Sequence, residues 1–148
     1  MADSTAPRKG IDILADIMKY VDQTTSRNIL KGLKASSPDI YAQLKKRIFT
    51  FDDLAFADGR GIQKLLKLIT LRDLALSMKG APDEVLQNIA SNMSHRSIED
   101  LREEITYLGA TPASEIESAR SRIMVTAHKL IEKRDLFINR SEAENWLE

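Results

Sequence analysis

Apolar residues recur at helical spacing along the whole chain, in short stripes bounded by residues that start or end helices. One stripe follows Asp58, and another follows Thr70, which can form a capping box with Asp73. Gly80 is placed to end that second helix, and Pro82 to begin the next one. Strict alternation of apolar and polar residues does not recur. The pattern therefore predicts an all-α chain of nine or ten mostly short helices, as in helical-repeat folds.

Composition and charge exclude several classes of protein. The 22 basic and 22 acidic side chains cancel, so the chain lacks the uniform positive field on which non-specific nucleic-acid binding depends. No apolar run approaches the roughly 18 residues that span a bilayer, and the first ten residues lack the apolar core of a signal peptide. Cysteine is absent, which fits a reducing compartment. We expect a soluble cytosolic protein with no nucleic-acid partner and no membrane insertion.

The residues that could carry catalysis or bind a metal are scattered. The only histidines, His95 and His128, lie 33 residues apart on different predicted helices, so they do not form a ligand pair. Adjacent acids such as Asp52 and Asp53 point about 100° apart on a helix, so they do not converge into a catalytic dyad. A negative charge near a helix N-terminus is the simpler interpretation of that pair. We expect no enzyme activity, no metal site and no cofactor.

Residues 92–108 are predicted to form one helix with two different faces. At about 100° per residue, apolar side chains share one side, and a charged surface occupies the other. This surface, which we call the ridge, consists of Arg96, Asp100, Glu103 and Tyr107. Ser94 can cap the helix, and Gly109 can end it. The ridge could be a docking surface for another charged protein or a merely solvated face, because Arg96 and Asp100 form an i,i+4 pair that could stabilise their own helix by about 0.2–0.5 kcal/mol.

Several motifs resemble, in order and spacing, those of one family. The segment IFTF at 48–51, followed by DDL at 52–54, is similar to a Met-Phe-x-Phe hinge and its acidic continuation. Further similar motifs are DGR at 58–60, IQKLL at 62–66, DLAL at 73–76, MKGA at 78–81 and NMSHR at 92–96. From residue 10 to about 138, the chain thus resembles the C-terminal part of the FliG family, the flagellar motor switch proteins of the bacterial rotor.

The resemblance implies two small helical units with armadillo-like, right-handed superhelical packing, joined by a phenylalanine-rich hinge. Residues 10–47 would be an armadillo-like unit that stacks on the middle region of FliG, of the same molecule or of a neighbour. Residues 52–138 would be the torque-type domain, and residues 139–148 a tail or short helix. The hinge would consist of Ile48, Phe49, Thr50 and Phe51.

The resemblance also implies a function for the ridge. In the FliG family the corresponding helix transmits torque, and its charges meet charges of opposite sign on the cytoplasmic loop of the stator protein MotA. Matched position by position, the stator-facing charges are Lys79, Arg96, Glu103 and Glu104. The chain would then belong to a ring of identical subunits, with FliM as a further partner. It would lie at the cytoplasmic face of the inner membrane and serve motility and chemotactic switching.

The chain departs from the family pattern in two places. Gly109, Ala110, Thr111 and Pro112 stand where the family usually has Gly-Pro-Val-Arg, so the last basic member of the charge set is missing. The family's N-terminal and middle regions are also missing, so we expect a fragment or a truncated paralogue. An alternative function follows: a FliG-like adaptor that binds a FliG middle region or another assembly through residues 11–33 and generates no torque.

Overall fold

The computed structural model describes residues 10–139, apart from the side chain of Gln23. All regular elements in that part are helices, which confirms the predicted all-α class. The described residues contain eight α-helices and one 3₁₀ helix. None of these helices is long and apolar enough to cross a membrane. The chain divides into two compact units, one ending at Phe49 and the other beginning at Thr50.

The first unit is a three-helix cluster. Its helices are α1 (Gly10–Met18), α2 (Gln23–Ser36) and α3 (Pro38–Lys45). Asp22 caps α2, since its side chain accepts a hydrogen bond from the Thr25 N–H at 2.6 Å, and this bond holds the pKa of Asp22 below its usual value. Helices α1 and α2 both pack against α3. The buried core of this unit consists of Ala15, Met18, Leu30, Leu44 and Ile48.

The second unit is built around α5 (Leu71–Met78), a short helix whose last five residues are buried. A 3₁₀ helix (Phe51–Phe56) is followed by α4 (Gly59–Leu68), α5 (Leu71–Met78), α6 (Asp83–Ala90), α7 (His95–Leu108) and α8 (Ala113–Glu132). Helix α5 packs against both α7 and α8, and its last five residues are all buried. A helix whose second half is buried on all sides can position its neighbours closely, because packed interiors leave little free space.

Helix α7 begins later than the sequence pattern predicts. The predicted start at residue 92 is wrong, since the helix runs from His95 and its N-cap is Ser94. The Ser94 side chain accepts a hydrogen bond from the Ser97 N–H at 3.1 Å, which satisfies one of the unpaired donors of the first turn. Asn92 and Met93 belong to the turn between α6 and α7. The apolar spacing alone did not mark this boundary.

After α8 the chain returns to the start of α4. The Asp58 N–H donates to the Phe137 carbonyl at 2.9 Å, and the Phe137 N–H donates to the Asp58 carboxylate at 2.9 Å. This return brings Leu136 against α4 at Gly61, where an added Cβ would lie 2.8 Å from the Leu136 Cα. Helix propensity alone counts a glycine here as unfavourable. The close approach of the two backbones explains why this helix tolerates it. The predicted tail or short helix lies, beyond Asn139, outside the described residues.

Replacing Gly61 by alanine should therefore destabilise the second unit by about 1–3 kcal/mol, as expected for overpacking. Gly32 is the matched control, because it lies inside α2 with no atom within 4 Å of its added Cβ. Gly32→Ala should stabilise the first unit by roughly 0.5–1 kcal/mol. Urea unfolding of both variants measures the two free energies. A stabilising Gly61→Ala would show that Leu136 does not constrain α4.

Candidate functional site

The ridge on α7 faces away from the core of the second unit. Leu101, on the opposite side of the helix, is buried against that core. The ridge side chains are all exposed, Tyr107 to 82%. Glu104, next to the ridge, is only half-buried. The two faces predicted for this helix are therefore confirmed, and a mixed-charge surface lies open on the second unit.

The charges of the ridge have no partners among the residues that the structure describes. Within 10–139, neither Arg96 nor Asp100 takes part in an ion pair, so their possible i,i+4 bridge is not formed. The same holds for Glu103 and Glu104. The interpretation that the ridge charges mainly stabilise their own helix loses its main support. These side chains are free to meet charges on another molecule.

An open groove of about 440 Å³ runs beside the ridge, between the start of α5 and the second half of α7. Two of its lining side chains are exposed and largely apolar: Leu71, which is 42% exposed, and Tyr107. Its remaining lining residues are all acidic: Asp100, Glu103 and Glu104. The C-terminal half of the ridge therefore combines an apolar contact area with negative charge, which fits a partner segment with a basic residue beside an apolar one.

Lys79 lies at the C-cap of α5 and not on α7. Its ammonium group donates hydrogen bonds to the Gly109 carbonyl and to the Thr111 hydroxyl, the second at 3.0 Å. Gly109 is the C-cap of α7, with a φ of +59° that suits glycine. The structure thus brings Lys79 to the end of the ridge helix. Its stator-facing role stays a prediction.

Arg120 on α8 contacts the same region, and the sequence analysis did not identify it. Its Nε donates to the Ser77 carbonyl at 2.9 Å, and its Nη2 donates to the Lys79 carbonyl at 2.8 Å. Its guanidinium also lies 4.8 Å from the centroid of the Phe51 ring. No local motif could have revealed these contacts, because they join residues more than 40 positions apart.

The four predicted hinge residues are divided between the two units. Ile48, 3% exposed, belongs to the core of the first unit, whereas Phe51, 1% exposed, lies in the second. The Thr50 N–H donates to the Asp53 carboxylate at 2.8 Å, where the 3₁₀ helix begins. Phe49 is half-buried. Movement at this junction stays a prediction.

Comparison with known proteins shows the family. A family model described as the FliG C-terminal domain matches residues 31–138. The flagellar motor switch protein FliG of Thermotoga maritima is 36% identical over 135 residues, covering 91% of this chain and 40% of that protein. FliG of Bacillus subtilis is 34% identical over 136 residues, covering 92% of this chain and 40% of that protein. The chain belongs to the FliG C-terminal domain family, and it spans about 40% of the length of these relatives.

Solved structures agree with this assignment. A crystal structure of FliG residues 86–343 from H. pylori has a TM-score of 0.66 and 25% sequence identity, covering 90% of this chain and 63% of that one. The structure of full-length FliG from Aquifex aeolicus has a TM-score of 0.57 and 27% identity, covering 88% of this chain and 41% of that one. The likeness therefore extends from the sequence to the fold.

Replacing Phe51 by alanine should lower the free energy of unfolding of the second unit by about 3–5 kcal/mol, because Phe51 is fully buried and also contacts the Arg120 guanidinium. Phe49→Ala is the matched control, and its loss should be smaller because Phe49 is only half-buried. Urea unfolding followed by circular dichroism measures both. Equal losses would contradict the difference in burial between the two phenylalanines.

Proposed function

We propose that this chain is part of a bacterial flagellar motor switch and that the ridge on α7 contacts the stator. The observation that carries this proposal is the exposed ridge, whose charges form no ion pair within the described residues. Membership of the FliG C-terminal domain family supports it. The proposed contact residues on α7 are Arg96, Glu103 and Glu104, and the proposed partner is the cytoplasmic loop of MotA.

The physics of exposed charges suits a rotating contact. An exposed ion pair contributes only about 0–1 kcal/mol, so each contact between rotor and stator can form and break as the partners pass. Opposite charges on two approaching surfaces also accelerate and orient their encounter. The order of charges along α7, with Arg96 in the first turn and acids in the later turns, gives the contact a direction. Such a surface can transmit force without binding tightly.

The first unit offers a separate surface for assembly. Ile13 and Ile17 form an apolar stripe on α1 and are 48% and 55% exposed, and Tyr20, just after the end of α1, is 73% exposed. Exposed apolar side chains grouped in this way are typical of a protein contact. We assign this surface to a FliG middle region, of the same molecule or of its neighbour in a ring. Contact with FliM and a position at the cytoplasmic face of the inner membrane belong to the same proposal.

One observation favours the alternative, a FliG-like adaptor without torque generation. The loop from α7 to α8 carries Pro112 where the family motif has arginine, and its four residues include no basic side chain. An adaptor of this kind would keep the apolar stripe on α1 and would not need the ridge. The two functions therefore predict different effects of ridge substitutions.

Charge reversal on the ridge tests the proposal. In cells whose motor depends on this chain, Arg96→Glu and Glu103→Lys should each reduce swimming speed, and a matching reversal on the MotA loop should restore part of it. Arg102→Glu is the matched control, because Arg102 is exposed on the same helix but points about 120° away from Arg96. Substitutions at such exposed sites should change stability by less than about 0.5 kcal/mol. Normal swimming of both ridge variants would support the adaptor instead.

A further inference from the structure

We propose that Lys79 is a positioning residue, which fixes the C-terminal end of α7 and thereby sets the place of the ridge acids. This inference rests on the proposed function of the ridge. It gives Lys79 a different part from that of Arg96: Lys79 acts through the helix to which it is bonded, and Arg96 acts by direct contact with the partner.

The end of α7 has no cation of its own. The last four carbonyls of any α-helix have no partner inside the helix, and the helix dipole places partial negative charge there. Helix α7 has no basic residue in its own last turn. Lys79 supplies the missing charge from α5, since its ammonium donates to the Gly109 carbonyl at the C-cap.

Thr111 closes this arrangement. Its hydroxyl accepts a hydrogen bond from the Lys79 ammonium at 3.0 Å and donates one to the Gly109 carbonyl at 3.0 Å. The ammonium, the carbonyl and the hydroxyl therefore bind one another in a closed set, which we call the Lys79 clamp. The hydroxyl is essential to this arrangement, because a valine side chain at position 111 could neither accept nor donate a hydrogen bond.

Lys79 itself is held firmly. Arg120 binds the carbonyls of Ser77 and Lys79, so α8 fixes the backbone from which the lysine side chain extends. The preceding residues of α5 are buried on every side. A lysine anchored in this way can transmit the position of the packed core to the end of α7.

The clamp lies close to the acidic half of the ridge. Glu103 and Glu104 precede Gly109 by five or six residues, which corresponds to about 8–9 Å along the helix axis. Loosening the last turn of α7 would shift these carboxylates relative to a partner. On the ridge itself, the partner would meet Arg96 in the first turn of α7 and the carboxylate of Glu103 further along.

Amide hydrogen exchange of the purified chain tests the clamp without any stator. Lys79→Met removes the charge and both hydrogen bonds, so exchange of the amides at 105–109 should become about three- to tenfold faster. Thr111→Val keeps the lysine charge and should give a smaller change in the same direction. The double variant should exchange only slightly faster than Lys79→Met, because Lys79→Met leaves only the Thr111–Gly109 hydrogen bond of the clamp for Thr111→Val to remove. Lys79→Arg should restore slow exchange.

Arg122→Gln is the matched control. Arg122 also joins α8 to α5, through Asp73 at 2.9 Å, but it binds the opposite end of α5. This variant should leave exchange at 105–109 unchanged. Faster exchange there in Arg122→Gln would overturn the inference, because a general loosening of α5 would then explain the result.

Swimming speed distinguishes a positioning role of Lys79 from direct contact of Lys79 with the stator. If Lys79 positions the ridge, Thr111→Val should lower swimming speed, as Lys79→Met does, although Thr111→Val leaves the charge at position 79 intact. Reduced swimming of Lys79→Met with unchanged exchange at 105–109 and a normal Thr111→Val would overturn the inference and make Lys79 a contact charge. The exchange measurement does not depend on the stator, so its failure is distinct from a failure of the ridge variants in the motility test.

Discussion

The second unit depends on the packing of α5 between α7 and α8. This helix has only eight residues, and its last five are buried, so it determines where its two longer neighbours lie. Both ends of α5 are also bonded to α8, through Asp73 to Arg122 and through the carbonyls of Ser77 and Lys79 to Arg120. The open face of α7 is therefore supported by a closely packed interior, which suits the force-transmitting contact that we propose.

A continuous series of contacts leads from the first residues of the second unit to the end of the ridge helix. The Phe51 ring lies against the Arg120 guanidinium, which binds the carbonyl of Lys79, whose ammonium binds the Gly109 carbonyl. Each contact joins residues that are distant in sequence, and together they connect the predicted hinge segment with α7. We expect loss of the Phe51–Arg120 or Arg120–Lys79 contact to act on the ridge through the fold, because neither Phe51 nor Arg120 lies on α7.

The sequence was sufficient for features that depend on neighbouring residues. Thr70 and Ser94 cap their helices and Gly80 adopts a positive φ, as the local signals predicted, and the faces of α7 follow from its period. Contacts over long separations were not predictable, because no local pattern shows that Gly61 approaches Leu136 or that Lys79 reaches the loop after α7. The start of α7 was placed too early because the apolar period was extended past Ser94, the cap that the sequence itself indicated.

The central claim, that the ridge touches the stator, is tested most directly by cross-linking inside motile cells. A photoreactive residue placed at Glu103 should cross-link to the stator protein, whereas the same residue at Arg102, exposed on another side of α7, should not. This pair of positions shares one helix, so it distinguishes the ridge from the helix as a whole. Cross-links of equal yield at both positions, or none at Glu103 in cells that swim, would contradict the claim.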